Sequence, residues 1–247
     1  MDLRSRIIVA LDFPSLPRAL EVAAPLAPRV GMLKVGLELF TSAGPAAIEQ
    51  LRALGADVFY DSKFYDIPNT VAGAAAAAGR LGVRMFNVHA LGGRAMMQAA
   101  KEAAARSATE AGFPPPLVIA VTIVTSLNDH QLQHEIGMAE PSAQTVPRLA
   151  LLAKNAGLDG VVASVHEVPE IKRLCGTDFI AVTPGIRPAW AERGDQARIA
   201  TPRSAVDAGA DYLVIGRPIT RADDPGHALE RIVAEMSEQR HNAAPRE

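Results

Sequence analysis

Short apolar runs rich in β-branched residues recur at intervals through this chain. They are Ile7–Leu11, Met32–Val35, Asp57–Tyr60, Met85–His89, Leu117–Thr122, Gly160–Ala163, Phe179–Val182 and Tyr212–Ile215. Each has the length of a buried strand, and most lack polar alternation, as expected when both faces of a sheet are covered. From Ile7 to Tyr212 the spacing averages about 29 residues, the size of a strand–helix unit. The segments between are helix-rich, with helices expected at Thr41–Leu54, Val71–Leu81, Gly93–Ser107, Ser142–Asn155 and Gly226–Glu238. Gly55 and Gly82 stand where helix stops belong. Eight such units predict a closed (β/α)8 TIM barrel. The competing architecture, a doubly wound open sheet, would carry a glycine-rich turn after its first strand. Here that position reads Leu11-Asp12-Phe13-Pro14, and no phosphate-binding Walker loop follows elsewhere.

At 247 residues, the chain has the usual length of one such barrel, and it is read as a single domain with a frayed polar tail from about Gln239. Hydrophobic residues at 49% and charged residues at 21% exclude a disordered protein. Lys and Arg number 25 against 27 Asp and Glu, a balance that argues against coating nucleic acid or an acidic membrane. It leaves room for a local basic pocket. The single cysteine, Cys175, permits neither an internal disulfide nor a cysteine-based zinc site. The first apolar run ends after five residues at Asp12, too short for a signal segment or a membrane span. The expectation is a soluble cytoplasmic protein.

In a barrel of this kind, chemistry lies at the C-terminal ends of the strands. Those ends carry Asp12, Lys34, Asp61 with Lys63, His89, Thr122 with Thr125 and Ser126, Ser164, Thr183 followed by Arg187, and Gly216-Arg217. The third set is the most informative. Strand alternation points Asp61 and Lys63 the same way, Asp66 follows within three residues, and Lys34 on the neighbouring strand can reach Asp61. The resulting array, Lys34⁺, Asp61⁻, Lys63⁺, Asp66⁻, would keep every member ionised without water. Gly216-Arg217 after an apolar strand suits a phosphate, with backbone N–H groups beside a fixed guanidinium. The long Pro-, Gly- and charge-rich stretch from Thr183 to Arg203 reads as a lid that could bring Arg187 and Gln196 to a ligand. His130 and His134 stand four residues apart without a third ligand, so no metal site is expected. His89 is read as buttressing the pocket by hydrogen bonding. Ser164-Val165-His166 is no catalytic triad, because adjacent strand residues face opposite ways.

These residues also carry a family resemblance. Asp61-Ser62-Lys63-Phe64-Tyr65-Asp66-Ile67-Pro68-Asn69-Thr70 resembles the signature of the orotidine 5′-phosphate decarboxylases. Val9-Ala10-Leu11-Asp12, Lys34-Val35-Gly36, Asn87-Val88-His89-Ala90, the stretch from Val121 to Ser126, Val182 to Pro188 and Ile215-Gly216-Arg217-Pro218 stand in the family's order. The likeness runs from residue 7 to about 235 and is to the shorter, free-standing bacterial form. It implies a homodimeric barrel that converts orotidine 5′-monophosphate to UMP and CO₂ without metal or organic cofactor. By position, Lys63 would be the proton donor to C6 and Asp61 would sit against the substrate carboxylate, with Lys34 and Asp66 completing the charged array. Asp66, Ile67 and Thr70 would reach the partner's site. Asp12 and Lys34 would hold ribose hydroxyls, Thr125 the pyrimidine, and Arg187, Gln196, Gly216 and Arg217 the phosphate. Ser62, often apolar or small in the family, should point away from the pocket.

Two other functions compete. Related Mg²⁺-dependent sugar-phosphate decarboxylases and aldolases share an Asp-x-Lys-x-x-Asp arrangement, but typically carry an acidic residue on strand two, where this chain has Lys34. A non-catalytic nucleotide-binding barrel would be expected to have lost a member of the charged set, and none is lost.

Overall fold

In a computed structural model, which describes residues 2–191 and 200–237, eight parallel strands pair in chain order and the eighth closes on the first. The strands are β1 (Ile7–Ala10), β2 (Met32–Val35), β3 (Val58–Phe64), β4 (Met85–His89), β5 (Leu117–Val121), β6 (Gly160–Val162), β7 (Ile180–Thr183) and β8 (Tyr212–Ile215). Ten helices are described: α1 (Leu16–Ala23), α2 (Leu37–Ala43), α3 (Pro45–Ala53), α4 (Pro68–Arg80), α5 (Gly93–Glu110), α6 (Ser142–Asn155), α7 (Val168–Cys175), α8 (Pro202–Asp207), α9 (Arg217–Thr220) and α10 (Pro225–Ser237). Gln196 and the tail from about Gln239 lie outside the described residues.

Side chains alternate between two apolar layers, which is why the strands lack polar alternation. Inward-facing Ile8, Met32, Phe59, Met85, Ile119 and Val182 fill the barrel. Their strand neighbours, among them Ile7, Val9, Leu33, Val58, Phe86, Val118 and Ala181, pack outward beneath the helices. Two residues further along β2, β3 and β4 the inward row changes character. Met32 gives way to Lys34, Phe59 to Asp61 and Met85 to Asn87. The barrel is therefore a plugged cylinder with an apolar floor and a polar mouth.

Three expectations change. The third strand runs on to Phe64 instead of stopping at Tyr60, so Asp61 and Lys63 belong to the sheet itself. The helix expected over Thr41–Leu54 is two, α2 and α3. Gly44 takes φ +61° and Pro45 has no N–H to continue the hydrogen-bond ladder. Helices α1, α7, α8 and α9 are not among those expected; each has eight residues or fewer, shorter than the window of about 11–18 residues over which an apolar period reads as a helix.

The alanine-rich α4 lies close against α5. Ala75, Ala78 and Gly79 of α4 and Ala100 and Ala104 of α5 are all buried, and Gly79 lies against the α5 backbone at Ala104. A Cβ on Gly79 would stand 2.5 Å from the Ala104 carbonyl oxygen and 3.1 Å from the Ala108 nitrogen, both backbone atoms that cannot swing aside. In an exposed helix, Gly→Ala stabilises by about 1 kcal/mol. Gly79→Ala should do the opposite, lowering stability to urea by about 1–3 kcal/mol as the helices are forced apart. A gain in stability would mean that the helices separate at no cost.

Candidate active site

The inward polar row opens into a pocket of about 440 Å³ at the C-terminal ends of the strands. Asp12, Lys34, Asp61 and Lys63 form one wall, and Val121, Ile123, Val162 and Val182 another. Thr125 and Arg187 stand on the loops above, Gly216 caps α9 and Arg217 is the first residue of that helix.

The charged wall follows from strand adjacency. β2 and β3 pair with Lys34 beside Phe59, so the lysine side chain lies one pleat below Asp61. Lys34 Nζ is 3.3 Å from Asp61 Oδ2, and Lys63 Nζ is 2.5 Å from Asp61 Oδ1. On its other side Lys34 Nζ donates to Asp12 Oδ1 at 3.0 Å. The Lys34 side chain is 8% exposed and that of Asp61 13%, whereas Lys63 at 31% opens to the pocket. The array within one chain thus reads Asp12⁻, Lys34⁺, Asp61⁻, Lys63⁺. The fourth member expected from the sequence, Asp66, is not in it. Beyond Phe64 the chain leaves the strand, and the exposed Asp66 carboxylate accepts from its neighbour's N–H, Ile67, at 2.6 Å. Ile67 and Thr70 are exposed as well.

Burial opposes charge on both inner members, and pairing wins. Burial pushes the Asp61 carboxyl up, but Lys34, Lys63 and the hydrogen bonds from Lys63 and Asn87 hold it below its ordinary value. Burial pulls the Lys34 ammonium down, but Asp61 and Asp12 hold it above its ordinary value. His89 is pulled down by burial and by Lys63 against the opposing effect of Asp61. Its ring lies 5.7 Å from that of Tyr65, so its place is beside the pocket against an aromatic neighbour.

The array sits on a bulge. In the β3–β4 ladder Tyr60 pairs with Phe86 and Phe64 with Val88, so Asp61, Ser62 and Lys63 face the single residue Asn87. Lys63 takes φ +49°, the one non-glycine residue with positive φ among the described residues. Its N–H donates to Asn87 Oδ1 at 2.7 Å, and Asn87 Nδ2 donates to Asp61 Oδ1 at 2.7 Å. Ser62 points away from the pocket, as expected, and donates to the Asn87 carbonyl at 2.8 Å. Asn87 is absent from the expected site residues. Its signal was a polar side chain at an inward position of an otherwise apolar strand.

At the rim, Arg187 N–H donates to the Ala200 carbonyl at 2.8 Å, and Ala200 N–H to Gly185 at 3.2 Å. Those bonds tie together the two ends of the segment that contains Gln196. Glu38, the acidic residue nearest the second strand's end, is exposed on the first turn of α2 and does not line the pocket. The His130 and His134 rings lie 4.7 Å apart on a separate turn. Among the described residues, no three His, Cys, Asp or Glu side chains converge as a metal site would require, and no helix is long and apolar enough to cross a membrane.

Comparison with known proteins bears on this geometry. Residues 5–232 match the model of the orotidine 5′-phosphate decarboxylase / HUMPS family. An orotidine 5′-phosphate decarboxylase of Moorella thermoacetica is 53% identical over 236 residues, 96% of this chain and 94% of that protein. One from Syntrophotalea carbinolica is 53% identical over 96% of this chain and 97% of its own length. Among solved structures, the orotidine 5′-phosphate decarboxylase of Lactobacillus acidophilus superposes with a TM-score of 0.83 at 40% identity, covering 94% of this chain and 99% of that one.

The pairing dictates how stability depends on pH. The Asp61 contribution is fully present above the ordinary carboxylate value of 3.8 and is lost as pH falls through its lower folded value. The Lys34 contribution is fully present below 10.5 and is lost as pH rises through its higher folded value. Asp61→Asn should therefore cost roughly 3 kcal/mol in urea unfolding at pH 7, the scale for breaking a buried pair. The difference from wild type should shrink in acid below the ordinary carboxylate value. A difference that stays constant down to the acid limit of the folded state would mean that Asp61 supports the barrel by shape and not by charge.

Proposed function

The chain belongs to the orotidine 5′-phosphate decarboxylase / HUMPS family, and from that premise we propose how its pocket works. It is an orotidine 5′-phosphate decarboxylase, a carbon–carbon lyase that converts orotidine 5′-monophosphate to UMP and CO₂ in pyrimidine biosynthesis. One observation supports the assignment of roles: a desolvated carboxylate, Asp61, is held between two ammonium groups at the pocket wall.

Loss of CO₂ leaves an electron pair at C6 of the pyrimidine. The Lys63 ammonium stabilises that developing charge and then delivers its proton to C6. Asp61 cannot escape its charge by protonation, because Lys34 and Lys63 hold it ionised, so it stands as a fixed negative charge beside the substrate carboxylate. Asp12 and Lys34 take the ribose hydroxyls, and Thr125 faces the pyrimidine. Arg187, Gly216 and Arg217 bind the phosphate, and Gln196 is assigned to it with them. A dianion clamped there anchors the substrate far from C6, where binding energy can organise the reacting end.

The donor set fits a reaction without metal or organic cofactor, because the carboxylate a cation would need is already claimed by two lysines. The Mg²⁺-dependent alternative would place an acidic group where Lys34 stands, and Glu38 lies outside the pocket.

The active unit is a homodimer. Leu37 is 60% exposed, Tyr65 62%, Ile67 66% and Leu91 40%, and all four follow the second, third and fourth strands on one side of the mouth. A second copy covering them would remove apolar surface from water and carry Asp66, Ile67 and Thr70 toward the partner's Lys63. The working compartment is the cytoplasm, whose reducing conditions suit the buried free thiol of Cys175.

Lys63→Ala should bind UMP yet lose at least about 100-fold in kcat, the contribution typical of a general acid. Mixed with Asp66→Ala under conditions of subunit exchange, it should regain about a quarter of wild-type activity. Half of randomly formed dimers are mixed, and each holds one site with both groups intact. No recovery, in a mixture shown by mass spectrometry to contain heterodimers, would place Asp66 in its own chain's site and overturn the shared pocket.

A further inference from the structure

The bulge in β3 raises a question that the charged array alone does not answer: what holds the reacting lysine in a backbone conformation that side-chain-bearing residues avoid. Positive φ costs a non-glycine residue on the order of 1 kcal/mol or more and persists only where its surroundings impose it. Lys63 at φ +49° is the residue concerned. Facing it and its two predecessors across the ladder is Asn87 alone.

The Asn87 side chain is 1% exposed and spans the bulge. Its amide orientation is fixed by chemistry, since a backbone N–H needs the oxygen and a carboxylate needs the NH₂. Oδ1 accepts from Lys63 N–H, the group that the bulge removes from the ordinary strand ladder, and Nδ2 donates to Asp61 Oδ1, both at 2.7 Å. The Asn87 carbonyl takes the Ser62 hydroxyl at 2.8 Å. One residue therefore restrains three consecutive positions, and the same Asp61 oxygen that receives Nδ2 also receives the Lys63 ammonium at 2.5 Å. Lys63 is thus tied to Asn87 at its backbone directly and at its ammonium through Asp61.

We propose that Asn87 is a positioning residue for the decarboxylation. Its side-chain amide sets the backbone of Lys63 and the carboxylate of Asp61 together, so that proton donor and counter-charge keep one geometry. The proposal rests on the assignment of Lys63 as the donor. Because Asn87 lies behind Asp61 and outside the pocket lining, its effect falls on the reacting end and not on ligand binding.

Two variants and three readouts test this. Asn87→Leu keeps the number and branching of the side-chain heavy atoms and removes both hydrogen bonds. It should lower kcat by about 100-fold, the scale for misplacing a reacting group by about an ångström, while the Kd for UMP changes less than about threefold. The Lys63 amide, followed by NMR hydrogen exchange in the unliganded protein, should be protected in wild type and at least tenfold less protected in the variant. Asn87→Asp keeps an acceptor for the Lys63 N–H but sets a second carboxylate against Asp61. The charged groups facing it are Asp61 and Lys63 on β3, Lys34 on β2 and His89 on its own strand. Two carboxylates sharing a site raise one pKa, and the proton then bound restores a donor to Asp61. The kcat of Asn87→Asp should therefore rise as pH falls through that value, on a limb that wild type lacks.

A general packing role predicts otherwise. Equal losses in kcat and UMP affinity, or Asn87→Asp and Asn87→Leu profiles that run parallel at every pH, would overturn the proposal, as would wild-type kcat in Asn87→Leu. Should Asn87→Leu fail to fold, the pH profile of Asn87→Asp decides. Should wild type itself fail to turn over orotidine 5′-monophosphate, the functional reading falls, and hydrogen exchange at Lys63 still decides whether Asn87 holds that backbone.

Discussion

A carboxylate buried between two ammonium groups is costly to assemble, and the rest of this barrel is organised around making that possible at Asp61. Isolated burial would protonate Asp61 or deprotonate Lys34. Neither happens, because the adjacent strand β2 brings Lys34 within 3.3 Å of Asp61 and the bulged end of β3 brings Lys63 within 2.5 Å of it. The barrel supplies this adjacency without any loop having to find a conformation: β2 and β3 are neighbours by chain order, and their inward rows rise in register from apolar floor to charged mouth. Asp12, at the end of β1, balances Lys34 from the other side. The result is electrostatic preorganisation, in which charges stand in place before a substrate arrives.

The two ends of the barrel use charge differently. At the N-terminal end, Asp159 precedes β6 and accepts from Val118 N–H on β5 and from Lys101. Asp211 precedes β8 and in the same way accepts from Ala181 N–H on β7 and from Lys172. Each carboxylate ties a strand's backbone to a helix lysine, and its role is stability. At the C-terminal end Lys63 is paired but 31% exposed, facing a pocket. The difference is the usual division of a barrel into a stabilising face and a reacting face.

Much of this was legible in the sequence. Eight recurring runs of buried-strand length with helix-rich segments between them place the barrel, and the positions after each run place most of the pocket lining. Lys34 reaching Asp61 follows from neighbouring strands alone. What escaped has physical causes. The Gly44-Pro45 break lies within an apolar period that continues on either side of it. The continuation of β3 through Asp61-Ser62-Lys63 depends on a partner, Asn87, that is distant in sequence, and a bulge leaves no local signature when it carries no glycine. Simple alternation did place Asp61 and Lys63 on one side, but the bulge and the positive φ of Lys63 deliver the arrangement. Asp66 was misplaced within the chain because proximity in sequence was taken for proximity in space, across a point where the strand ends.

In the mechanism proposed, the chain's own fixed charges carry out the decarboxylation. Loss of orotidine 5′-monophosphate absorbance with purified protein, before and after exhaustive treatment with EDTA, puts that mechanism to the test. Turnover should run at the same rate in both. Turnover abolished by the chelator and restored by Mg²⁺ would contradict it, as would no turnover at all.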